Sequence, residues 1–183
     1  MESPYKIEIL SLAETDLLLS SSRGASVRNV ISIGDPGSPE PRELHAHDRN
    51  VLRIECKDVF PEDKEVEEGA IPRKHHVERI MEFGSNLREG GHAILIHCHA
   101  GVSRSTAAAL ILLYRGMQAP DEETAVRELL RLRPQALPNK FLIQHADSIM
   151  NSNLLRACEP VYRTRAARIM NSFRRQAREA NRA

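Results

Sequence analysis

The chain has no tryptophan, and aromatic residues make up only 4% of its 183 positions. So thin a supply of flat side chains argues against a protein that binds nucleic acid by stacking bases. Cysteine is scarce as well. Cys56, Cys98 and Cys158 are too few and too scattered for a disulfide framework, and they read as free thiols in a reducing cytoplasm. No stretch approaches the ~18 unbroken apolar residues of a membrane span. Met1–Leu10 carries Glu2, Lys6 and Glu8 within its apolar pattern and lacks the basic start and apolar middle of a secretory signal. Internal repeats and low-complexity linkers are also missing.

What remains is the composition of one compact domain. Apolar residues at 41% are ample for a core, and the length is too short for two full-sized domains. The formal charge of +1 conceals an asymmetry: residues 156–183 hold eight Arg and two Glu, a local +6 that leaves −5 for the rest. A body at 1–155 with a basic, helix-compatible extension at 156–183 is therefore expected. That extension is read as solvated, packed on the acidic body, or open to an anionic partner.

Short apolar runs alternate with longer helical patterns, the habit of α/β folds. Strands are expected at Lys6–Leu10, Asn29–Ile33, Val51–Glu55 and Ala93–His97, the last apolar enough to be buried on both faces. Helices are expected at Ala13–Ser20, at Arg73–Glu89 with an apolar face of Val77, Ile80, Met81 and Leu87, and at Ser105–Gly116. Two more follow, one from Pro120 to about Pro134 and one at Pro138–Met150 with Phe141, Leu142, His145 and Ile149 inward. The breakers of Gly34–Pro39 mark a loop, and Asp58–Gly69 is an acidic loop.

One segment carries chemistry: His97-Cys98-His99-Ala100-Gly101-Val102-Ser103-Arg104-Ser105. It lies between a buried strand and a helix start, where successive backbone N–H groups can converge on one anion. Gly101 permits the tight turn, and Arg104 returns to the rim with a planar fork that matches two phosphate oxygens. A cysteine on such a floor is expected to be a thiolate at neutral pH, facing a hollow shaped for a tetrahedral dianion. Displacement at phosphorus is the implied reaction.

The segment resembles the His-Cys-x5-Arg-Ser/Thr signature of the cysteine-dependent protein tyrosine phosphatase superfamily. The short chain is similar to its compact dual-specificity branch, and the wording of the loop to bacterial members. The resemblance runs from about Asn29 to Met150. It implies an α/β fold, a central and mainly parallel sheet with helices on both faces, and hydrolysis of phosphate monoesters, phosphotyrosine first. By that resemblance Cys98 is the nucleophile. Arg104 and the N–H groups of His99, Ala100, Gly101, Val102 and Ser103 form the phosphate cradle, while Ser105 helps the sulfur leave. His97 holds the loop in shape. The family's general acid, an Asp after an earlier strand, falls on Asp58, with Glu62 and Asp63 as rivals in a more solvated run. The Pro138-Asn139 pair resembles the helix start bordering the loop, where Asn139 either supports the loop and its water or simply caps a helix. No cofactor or metal is expected: His97 and His99 flank Cys98, but no second ligand pair completes a zinc site. The partner expected is a phosphorylated protein, without nucleic acid.

Several plainer readings stand beside these. His45, His47, His75 and His76 are expected as exposed polar residues, and His99 as a rim or surface residue. Cys56 is read as a small buried side chain, or as a thiol that could trap an oxidised Cys98. A phosphopeptide-binding pseudophosphatase and an enzyme for inositol lipids or RNA ends are the rivals, with sulfur transfer and arsenate reduction further off.

Overall fold

The computed structural model describes residues 6–59, 70–87, 93–116 and 121–164. Four strands, β1 (Lys6–Ser11), β2 (Asn29–Gly34), β3 (Asn50–Glu55) and β4 (Ala93–Cys98), form one sheet in the order β1-β4-β2-β3. All its pairings are parallel, with Ser11 beside Cys98, Ser32 beside His97 and Gly34 beside Glu55. Every carboxyl end therefore lies on one edge, where β2, β3 and β4 lead into loops and β1 runs straight into a helix.

Among the described residues the sheet is covered by α1 (Leu12–Leu19), α2 (Lys74–Ser85), α3 (Arg104–Gly116), α4 (Glu122–Leu132), α5 (Lys140–Met150) and α6 (Leu154–Ala157). Alternation of side chains along the strands splits the core in two. On one face Ile7, Ile9, Ile31, Ile33, Ile54, Ile94 and Ile96 pack under α2 to α6. On the other, Val30 and Leu95 meet Leu19 of α1 and Leu44 of the loop joining β2 to β3. The expected α/β sheet with helices on both faces is the architecture found. α3 is its axle, since every side chain from Arg104 to Leu113 is buried.

Local chemistry fixes the helix starts. Ser11 caps α1 in a reciprocal box, its Oγ accepting from Glu14 N–H while Glu14 accepts from Ser11 N–H. Asp121 caps α4 and Asn139 caps α5, which is why α5 begins at Lys140 and not at Pro138. Arg73 N–H donates to Nδ1 of His76 at 3.0 Å, a bond that draws this ring inward. His76 is consequently buried, against the expectation of exposure, and burial pushes it down to about 4. His45 and His47 are exposed as expected.

Other boundaries move. α2 ends at Ser85, so its buried stripe is His76, Val77, Ile80 and Phe83, with Leu87 beyond the helix. In α5 the fully buried positions are Leu142, Ile143 and Ala146, whereas Phe141, His145 and Ile149 are half-buried. The 3-10 turn Ser22–Ser26 and the short α6 were not expected. Nor does the packed body stop at Arg156. Leu154 and Cys158 belong to the core, and Tyr162 packs on it while donating to the Pro138 carbonyl at 2.9 Å. Of the basic extension, 165–183 lies outside the described residues, as do Glu62, Asp63 and the rest of the acidic loop from 60 to 69.

Leu110 sits fully buried at the middle of α3. Leu110→Ala should lower unfolding stability by about 3 kcal/mol, from lost transfer energy and a residual cavity, as read by urea denaturation.

Candidate active site

The loop from His99 to Ser103 is gripped by its carbonyls. His99 O accepts from Leu12 N–H at 3.1 Å, and Val102 O from Leu137 N–H at 2.8 Å. Ser103 O accepts from Ala107 N–H at 3.0 Å and from Asn139 N–H at 3.3 Å. Gly101 O accepts from Nε of Arg133 at 3.0 Å. Among the described residues, these backbone hydrogen bonds reaching beyond the loop all use its carbonyls, and in a planar peptide the N–H lies opposite the C=O. Gly101 makes the turn at φ +66°, and a Cβ there would lie 2.6 Å from Leu10 C and Ser11 N. Only glycine permits both that backbone and that closeness to β1.

Cys98 ends β4 on the floor of the hollow, 1% exposed, with Sγ 3.1 Å from Oγ of Ser105. Arg104, 3% exposed, is held by one nitrogen: Nη1 donates to Oδ1 of Asp35 and to the Cys56 carbonyl, both at 2.5 Å. Its Nε is buried without a hydrogen-bond partner and forms an ion pair with Oδ2 of Asp58 at 3.8 Å. A buried guanidinium N–H whose hydrogen bond is still to be made can donate to an anion oxygen.

Asp58 follows β3 by three residues. Its Oδ1 accepts from Oγ of Ser103 at 2.5 Å and from Nδ2 of Asn139 at 3.1 Å. Asn139 also donates to the Val59 carbonyl at 2.9 Å, while its own Oδ1 caps α5 by accepting from Leu142 N–H. The Asn139 side chain caps α5, as the plainer reading has it, and also holds Asp58 and the Val59 carbonyl. His99 is exposed and lines the cleft.

His97 differs from its expected part. Its ring is 99% buried, and neither nitrogen has a hydrogen-bond partner among the described residues. Burial, with the Arg53 charge nearby, pushes it down to about 4, so the ring is neutral. Cys56 is fully buried, and burial pushes its thiol up to about 12, which fits the apolar reading better than that of a redox trap.

Three residues escaped the sequence reading. Asp35, half-exposed on the loop after β2, had only the neighbouring Pro and Gly to mark it, and these signal a turn rather than an ion pair. Arg133 clamps the Gly101 carbonyl while its Nη1 and Nη2 meet Glu14 at 3.2 and 2.9 Å. Glu14 carried a legible signal, since Ser11 and Glu14 have capping-box spacing. The cleft over Cys98 holds about 170 Å³ and is lined by Leu12, Pro39, Asp35, His99 and Arg104 among others.

No family model matches the chain. Over 65 residues, 36% of the chain, it is 42% identical to human dual specificity protein phosphatase 12. That match covers 19% of the relative, so the chain spans about a fifth of the length of the curated relatives it matches. The crystal structure of DUSP15 superimposes with a TM-score of 0.58 at 23% identity, covering 81% of this chain and 85% of that one. PTPMT1 in complex with PI(5)P gives 0.52 at 18% identity, covering 78% and 89%. These structures share the fold. Together with the homologous stretch they support the cysteine-dependent protein tyrosine phosphatase superfamily.

The Arg133 bond and the capping box hold the Glu14 carboxyl down at about 2. A carboxyl lowered on folding adds stability above its unfolded value of about 4.5, and that stability is lost as pH falls toward about 2. Glu14→Gln should therefore cost about 1 kcal/mol at neutral pH, a figure discounted for the group's exposure. The difference from the parent should close near pH 2 in denaturation curves taken across acid pH.

Proposed function

We propose that this chain is a phosphatase acting on phosphate monoesters of proteins, phosphotyrosine first, with phosphoserine and phosphothreonine as further substrates. The observation that carries the reading is the Sγ–Oγ couple of Cys98 and Ser105 at 3.1 Å under a cleft that Arg104 also lines, its buried Nε without a hydrogen bond. A phosphate oxygen is the partner such an N–H requires, and the inward N–H groups of the loop supply the rest of the cradle.

In the first step the Cys98 thiolate attacks phosphorus as the ester P–O bond breaks, giving a phosphocysteine. Negative charge on the equatorial oxygens is met by Arg104 and the loop N–H groups. Asp58, protonated, gives its proton to the departing alkoxide or phenoxide. In the second step Asp58, now a carboxylate, takes a proton from water as the water oxygen attacks phosphorus. The P–S bond then breaks, with Ser105 donating a hydrogen bond to the returning thiolate. Ser103 and Asn139 aim Asp58, and no cofactor is called on. The 42% identity of the matched stretch to a dual specificity phosphatase supports this reading. The free thiols fit a reducing cytoplasm, and among the described residues no helix is long and apolar enough to cross a membrane. The wording of the cradle loop fits a bacterial enzyme, and the basic extension fits an anionic partner. A lipid phosphate is the second reading, favoured by the likeness to PTPMT1 bound to PI(5)P.

Turnover of a generic aryl phosphate tests the proposal. Cys98→Ser should abolish it, and Asp58→Asn should lower kcat by about 10²-fold or more. The loss in Asp58→Asn should shrink as the leaving phenol becomes more acidic. A parent protein that binds phosphotyrosine peptides without turning them over would replace the enzyme with a binding module.

A further inference from the structure

Arg104 is the guanidinium of the cradle, and its partner Asp35 is half in solvent: the side chain is 56% exposed against 3% for Arg104. The contact does not pull Asp35 into the core. One carboxylate oxygen meets Nη1, and the group as a whole stands at the wall of the substrate cleft beside Leu12 and Pro39. The loop that carries it is stiffly held. Ser38 N–H closes a turn on the Asp35 carbonyl at 2.9 Å, Arg53 Nη2 donates to Ser38 O at 3.0 Å, and Gly37 N–H donates to Glu55 at 3.2 Å. The negative charge of Asp35 therefore has a fixed position next to the bound phosphate.

The neighbouring cations are already engaged. Arg53, which also lines the cleft, donates to Ser32 and Ser38 and pairs with Glu40 at 3.4 Å and Glu55 at 3.6 Å. Arg133, on the outer side of the loop, is committed to Gly101 and Glu14. A second anionic group close to the scissile phosphate would meet neither guanidinium free, and it would face the exposed Asp35 within a Debye length of ~8 Å. Arg104 meets only one oxygen of Asp35 and must also serve the scissile phosphate, so a further anion at that range is disfavoured.

We propose that Asp35 is a specificity-determining residue that restricts the cleft to esters bearing a single phosphate, and that substrates with a second anion beside the scissile group are rejected by its charge. This rests on the phosphatase reading of the same site and names the substrate class within it: a singly phosphorylated protein side chain rather than a multiply phosphorylated headgroup or segment.

The test compares two peptides, one carrying a single phosphotyrosine between neutral residues and one identical but for a second phosphate two residues away. The parent should favour the first. Asp35→Asn keeps an oxygen for Nη1 but removes the charge, so the kcat/KM ratio of doubly to singly phosphorylated peptide should rise about tenfold at low ionic strength. The gain should lie in KM and fade at ~0.5 M salt. An unchanged ratio overturns the proposal, even where both peptides slow equally, because equal slowing means Asp35 only positions Arg104. Should Asp35→Asn not fold, Asp35→Ser carries the same comparison. If the parent hydrolyses neither peptide, the phosphatase reading fails by itself. The ratio is then read from dissociation constants in the Cys98→Ser background, where Asp35→Asn should shift it by the same factor and an unmoved ratio again rejects the role.

Discussion

The direction of four carbonyls decides what this site can be. With His99, Gly101, Val102 and Ser103 all accepting hydrogen bonds from outside the loop, the amides between them are left to face inward. A peptide unit is planar, so fixing its C=O on one side fixes its N–H on the other. The hollow is thus electropositive by backbone geometry before any side chain contributes. The grips come from distant parts of the chain: Leu12 at the start of α1, Arg133 after α4, and Leu137 and Asn139 ahead of α5. This is one reason the helices on both faces matter to a loop of a few residues.

The side chains extend the same division between held and offered groups. Arg104 is anchored through Nη1 by Asp35 and the Cys56 carbonyl, and its Nε is left without a hydrogen bond. Asp58 is anchored by Ser103 and Asn139 through one oxygen, while the other pairs with Nε of Arg104 at 3.8 Å. Both arrangements hold a reactive group at a set angle without consuming it, which is how a preorganised site lowers the reorganisation needed during reaction. Asp35, Asp58 and the cradle stand on the loops after β2, β3 and β4, while the end of β1 makes the close contact with Gly101 and Leu12 of α1 follows it directly. The parallel sheet brings all four to one edge.

Much of this was legible in the sequence. The apolar runs of β2 and β4, the Ala/Leu pattern of α3 and the Cys-x5-Arg spacing are local signals, and the elements they imply are found within a residue or two. Asp58 is singled out by the family resemblance and its place after a strand, and it is found against Ser103 and Asn139. Asp35, Arg133 and Glu14 could not be given their roles, because those depend on contacts across 69, 32 and 119 positions that no local pattern records. His76 shows the reverse failure. Its residue type suggests solvent, but one bond to Arg73 N–H and the packing of α2 place it inside. The buried, unbonded ring of His97 was likewise beyond reach, since the family resemblance supplies a part for it and only packing reveals how the part is filled.

The most direct measurement is of anion capture at the cysteine. Cys98 should be the residue labelled by iodoacetamide near pH 6 in the folded protein, since burial pushes the Cys56 and Cys158 thiols up to about 12. Orthovanadate, a tetrahedral oxyanion, should suppress that labelling at least about tenfold by filling the cradle, as mass spectrometry would report. Labelling of Cys98 that ignores orthovanadate would contradict a hollow lined by inward N–H groups and Arg104.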